Sequence, residues 1–76
     1  MILPIQCKMA RAAVGWGVRD LAKQASVSVD TVSRFERGED LLPRTIEALQ
    51  SAFERAGVIF VEANGEGPGV RLQKGL

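Results

Sequence analysis

Histidine is missing from the 76-residue chain, and Cys7 is its only cysteine. Without imidazole, one thiolate cannot complete a tetrahedral zinc site. A lone thiol cannot close an internal disulfide, so nothing here points to secretion. No nucleophile stands at a useful spacing from a base, and no carboxylates fall in metal-site order. Long hydrophobic runs are missing too: none approaches the ~20 residues that span a bilayer. The opening MILPIQCK has no long apolar stretch after a basic start, as a secretory leader would. These absences lead to the expectation of a cytoplasmic chain that is not an enzyme, with no cofactor, metal, membrane partner or small-molecule substrate.

What is present suits one small globular domain over residues 1–76, with 46% apolar and 25% charged residues. A chain of this length buries only ~60% of its unfolded surface, so pairing with another copy would help it. The net charge of +1 is unevenly spread. Residues 1–38 carry a net +3 through Lys8, Arg11, Arg19, Lys23, Arg34 and Arg37 against three acids, whereas residues 39–76 carry −2. The imbalance is small and fits an ordinary solvated surface as well as an anionic partner.

The central stretch, LAKQASVSVDTVSRFERG over residues 21–38, organises the chain. Before it, Pro4 is acceptable in a first helical turn, and the alanine-rich run that follows predicts a helix over about 4–14. Met9, Ala12, Ala13 and Trp16 recur at helical spacing and are expected to face the core. Cys7 reads as a small residue on this helix rather than as a redox group, and Trp16 as a core plug rather than a base stacker. Glycines at 15 and 17 end the helix. A second helix is expected over 18–25 with Leu21, Ala22 and Ala25 inside, and a third over 29–37 with Val32 and Phe35 inside. Ser28 is placed to cap the third, and Asp30 lies in its first turn, where an acid complements the helix dipole. Pro43 opens a fourth helix, about 44–56, with Ile46, Leu49 and Phe53 on one stripe. Then Val58-Ile59-Phe60-Val61 and the alternating Val70-Arg71-Leu72-Gln73, separated by ANGEGPG, predict a β-hairpin over about 58–62 and 69–73. The glycine-rich turn lacks the lysine and helix start of a phosphate-binding loop. A two-stranded hairpin is marginal alone, so it packs on the helices, on another copy, or on both.

Residues 5–57 resemble the Cro and phage-repressor type of helix-turn-helix domain, also called XRE-like. That pattern wants apolar residues at five spaced positions, filled here by Leu21, Ala25, Val27, Val32 and Phe35. It wants a small residue mid-way along the first helix, and Ala22 is there; SRFERG resembles the family's SRIERG-like close. The tail VIFVEANGEGPGVRLQ is similar to a short bacterial branch with GVEFI-like and GGGPGVRL-like segments. The resemblance implies a mainly α, four- to five-helix lambda-repressor-like fold with a C-terminal hairpin. It also implies a transcription regulator that binds double-stranded DNA as a homodimer on an inverted repeat, with residues 28–37 in the major groove.

Carried over residue by residue, the resemblance makes Val29, Asp30, Thr31, Ser33 and Arg34 the base readers. Arg34 is the strongest, because a guanidinium can bond guanine O6 and N7 together. Asp30 stands either as an acceptor from a cytosine amino group or simply as a dipole-complementing acid. Phosphate contacts fall to the Val18 N–H, Arg19, Ser28, Arg37 and Arg44, with Lys8 and Lys23 weaker candidates. Arg11 and Glu36 match a structural ion pair, and Ile59, Phe60, Val61, Val70 and Leu72 are expected at the dimer interface. The chain departs from the family where Gly17-Val18 replace a Ser/Thr-Gln start, where Ser26 replaces a turn glycine, and where Glu39-Asp40 replace a basic loop. These departures keep open a second reading, in which the helix-turn-helix is the scaffold of an antitoxin-like module that binds a protein partner.

Overall fold

Residues 1–75 are described by a computed structural model; Leu76, the end of the expected 1–76 span, lies outside them. Four helices precede one antiparallel hairpin: α1 (Pro4–Val14), α2 (Val18–Ala25), α3 (Val29–Glu36), α4 (Pro43–Arg55), β1 (Val58–Val61) and β2 (Gly69–Leu72). The protein is therefore a mainly α helix-turn-helix fold with a C-terminal hairpin. No helix among the described residues is long and apolar enough to cross a membrane.

Phe53 of α4 is fully buried and sits at the centre. The Trp16 ring stacks on it at 5.5 Å, and Phe60 of β1 meets it edge-on at 5.9 Å. Leu21, Val32, Leu49 and Cys7 are also sealed from solvent around it. The apolar stripes of α2 (Leu21, Ala22, Ala25) and α3 (Val32, Phe35) meet in this core, as their spacing requires.

The inner face of α1 differs from expectation. It consists of Gln6, Cys7 and Ala10, with Val14 half-buried, while Ala12 and Ala13 are exposed. The helix ends at Gly15 in the left-handed region (φ 72°), so Trp16 lies beyond the turn. Trp16 thus cannot set the phase of the helical stripe, although it does plug the core.

A polar side chain completes this face. Gln6 is only 4% exposed, yet every polar atom of its amide is used. Its Oε1 accepts the Leu3 N–H at 2.8 Å, and its Nε2 donates to the carbonyls of Val61 at 3.0 Å and Gly69 at 3.1 Å. These two carbonyls belong to the strand pair nearest the hairpin turn. Gln6 therefore ties α1 to both strands at once.

The hairpin register pairs Val58 with Leu72, Ile59 with Arg71, Phe60 with Val70 and Val61 with Gly69. Side chains of directly paired residues share a face. Val58, Phe60 and Val70 pack inward on the helices, and Ile59 and Arg71 are exposed on the other face. The hairpin thus belongs to this chain's own core.

The first three helices end in the same backbone motif. Trp16, Val27 and Glu39 each donate an N–H to the carbonyl five residues back (Arg11, Ala22 and Arg34), and Gly15, Ser26 and Gly38 each to the carbonyl three back. This is the Schellman arrangement, which needs a left-handed residue. Gly15 and Gly38 supply it, but at the α2–α3 turn Ser26 does so with φ 58° and ψ 43°. A β-carbon there costs ~1 kcal/mol. Ser26 is exposed and its hydroxyl holds no partner among the described residues. Ser26→Gly is therefore expected to stabilise the domain by about 1 kcal/mol. Thermal denaturation followed by circular dichroism checks this, with a rise of roughly 4–8 °C in Tm for a domain this small.

Candidate nucleic-acid interface

Residues 26–28 join α2 to α3 and set α3 on the surface of the core. Ser28 starts α3 as its N-cap: its Oγ accepts the Thr31 N–H at 3.0 Å and lies 2.8 Å from the Thr31 hydroxyl oxygen. Because Val32 and Phe35 are turned inward, the opposite side of α3 stays free. Val29 is 42% exposed and Asp30 is open to solvent. Thr31, Ser33 and Arg34 are half-buried. Arg34 lies 3.9 Å from Asp30, one helical turn earlier. The Asp30 carboxylate thus neighbours a cation on the same exposed face.

Thr31 and Arg34 also line an open groove of about 440 Å³ with Asp40, Leu41, Leu42 and Thr45. The groove separates α3 from the start of α4. Its second wall, Leu42 and Thr45, was not picked out from sequence, because nothing in the spacing shows that the loop after α3 folds back beside the helix.

The expected phosphate contacts are scattered. Arg19, Arg37 and Arg44 are exposed. The Ser28 hydroxyl is already engaged with Thr31. The Val18 side chain packs against the core, and its N–H lies at the first position of α2. The preceding Gly17 N–H is held by the Asp20 carboxylate at 2.8 Å. An acid in the first turn thus already complements the end of α2 where an anion would otherwise be favoured.

Behind α3, Glu36 and Arg11 form a two-pronged ion pair. Arg11 Nε donates to Glu36 Oε2 at 2.7 Å, and Nη2 donates to Oε1 at 2.8 Å. The Cys7 thiol also donates to Oε2 at 3.1 Å, and Arg11 Nη1 reaches the Trp16 carbonyl at 3.3 Å. The Glu36 side chain is 8% exposed and that of Arg11 is 22% exposed. Burial alone would push the Glu36 carboxyl up, but hydrogen bonds from Arg11 and Cys7, with the Arg11 and Lys8 charges, hold it below the ordinary carboxylate range. Burial, reinforced by Glu36, pushes the Cys7 thiol far above its ordinary value, so it stays protonated and serves as a donor. Cys7 is thus a core residue with a polar task, a role that its place in an alanine-rich helix does not reveal.

In front of α3, Glu39 takes hold of two arginines. Its Oε2 accepts from Arg37 Nη2 at 2.9 Å and from Nε at 3.3 Å, and its Oε1 accepts from Arg34 Nε at 3.2 Å. Arg37, then Arg34, hold the Glu39 carboxyl below the usual carboxylate range. From sequence, Glu39 stands out only as an acid where a basic loop is common; in the structure it grips the expected reading and backbone arginines directly. The Schellman turn closed by Gly38 bonds the Glu39 N–H back to the Arg34 carbonyl and so brings residue 39 beside the last turn of α3.

Two short helices joined by a three-residue turn, the second with one face in the core and one free, define a helix-turn-helix domain. Residues 6–58 match the family model described as Helix-turn-helix domain. The chain belongs to this family of DNA-binding domains. No curated protein matches the chain.

Proposed function

We propose that the protein is a sequence-specific regulator of transcription of the Cro and phage-repressor type, binding double-stranded DNA with α3 in the major groove. One observation carries this reading: α3 is fixed to the core by Val32 and Phe35 while Val29, Asp30 and Arg34 remain accessible on its other side. A helix held along one face and free along the other has the form needed to enter the groove, whose width of ~12 Å admits it. In this reading Arg34 bonds a guanine edge, Ser33 and Thr31 contact base or backbone, and Val29 touches a thymine methyl. Arg19, Arg37 and Arg44 contact phosphate.

Two copies bind together on an inverted repeat. Of the five hairpin residues expected at the interface, Phe60 and Val70 pack on their own chain, which leaves Ile59, Val61 and Leu72. Ile59, 43% exposed, shares the outer face of the hairpin with Val61, while Leu72, 44% exposed, lies at the edge of the inner face opposite Val58. The molecule measures 29 × 27 × 18 Å across its backbone. An inverted repeat read by two copies requires their recognition helices to lie about one helical turn, ~34 Å, apart.

Selection of bound duplexes from a random pool, for wild type and for Arg34→Ala, tests both parts. Wild type is expected to enrich an inverted repeat whose half-sites are about one helical turn apart. Arg34→Ala is expected to lose about 1–3 kcal/mol on that site and to relax the preference at one guanine per half-site. Enrichment of single half-sites removes the dimer. No enrichment by either protein removes the sequence-specific regulator.

A further inference from the structure

We propose that Glu39 is an intramolecular competitor for DNA, holding the base-reading Arg34 and the phosphate-contacting Arg37 in the free protein until the duplex displaces it. This inference rests on the DNA-binding reading and concerns how that surface is regulated. Two arginines that converge on the two oxygens of one carboxylate form a site for a single oxyanion. In the DNA-binding reading Arg34 faces a guanine edge and Arg37 a phosphate, and both partners are acceptors whose place the carboxylate takes in the free protein.

The backbone makes the arrangement systematic rather than incidental. The Glu39 N–H donates to the Arg34 carbonyl at 3.1 Å, and the Gly38 N–H donates to that of Phe35 at 2.9 Å. With Gly38 at φ 92°, this turn fixes the Glu39 backbone against the last turn of α3. The side chain then starts close to both guanidinium groups and meets them at 2.9–3.3 Å. Asp40, the next residue, has the same charge but no hydrogen bond to an arginine among the described residues, and it provides an internal control.

The test is a fluorescence anisotropy titration of labelled random-sequence duplex with wild type, Glu39→Gln and Asp40→Asn, each also in a background carrying Arg34→Ala and Arg37→Ala. Each substitution removes one negative charge and leaves the backbone turn intact. Glu39→Gln is expected to tighten binding several-fold more than Asp40→Asn, and this excess should vanish in the double-arginine background. Equal gains from the two substitutions would mean a simple charge effect and would overturn the competitor. So would an excess that survives without the arginines, or no gain at all. If neither wild type nor Glu39→Gln binds any duplex, the DNA-binding reading fails instead, and the competitor falls with it. Failure of the competitor alone leaves wild-type binding intact, so the two failures are separately visible.

Discussion

Glu36→Ala is expected to lower the unfolding free energy by about 3–5 kcal/mol, the cost of removing one partner from a buried ion pair. The glutamate side chain is 8% exposed and takes three hydrogen bonds, two from Arg11 and one from Cys7. Its removal strands a half-buried guanidinium and a buried thiol. A 76-residue domain has only ~4–11 kcal/mol of stability at typical per-residue values, so the variant approaches unfolding. Glu39→Ala, which alters only an exposed cluster, should shift the melting temperature much less. Urea denaturation of the two variants side by side makes the comparison, and equal midpoints would contradict it.

The same carboxylate gives stability a pH dependence. Its folded-state pKa is depressed, so the unfolded chain binds its proton first as pH falls. The stabilisation is present above the ordinary glutamate value of ~4.3 and is lost as pH falls through the lower, folded-state value. Glu36→Gln removes this contribution and should flatten the acid limb of the stability curve.

Phe53→Ala is the second large effect, with an expected loss of about 3–5 kcal/mol. Phe53 has no exposed surface and lies between Trp16 and Phe60, so truncation opens a void bounded by three separate elements. The loss reaches beyond α4, because Phe60 carries the hairpin and Trp16 closes the turn after α1. Trp16 is the only tryptophan, and its fluorescence reports this site alone. A red-shifted emission in the variant, with an unfolding midpoint moved to lower urea, is the expected result.

Why the helix pair was legible in the sequence is clear from its own residues. Leu21, Ala25, Val32 and Phe35 are buried, Val27 is half-buried, and their spacing encodes the packing of two adjacent helices. The fold class follows from that local pattern together with the β-branched tail. The α1 face was not legible, because alanines at 12 and 13 suit either side of a helix, and because Gln6 looks polar until its three partners are known. Those partners include two backbone carbonyls, which carry no residue-type signal at all. At the interface, charge and residue type indicated which side chains stand at the surface. They did not show that Glu39 binds two of them, since this depends on a left-handed turn at Gly38 that bends the chain back.

The amide of Gln6 also closes the longest loops in the fold described above. Its two strand partners lie 55 and 63 residues away along the chain. Contacts between α2 and α3 close short loops, whereas joining α1 to the hairpin must overcome the entropy of bringing distant segments together. The helix pair can therefore organise early. The first helix gains its full set of hydrogen bonds only when both strands are in place, so a residue near one end of the fold reports on the closure of the other.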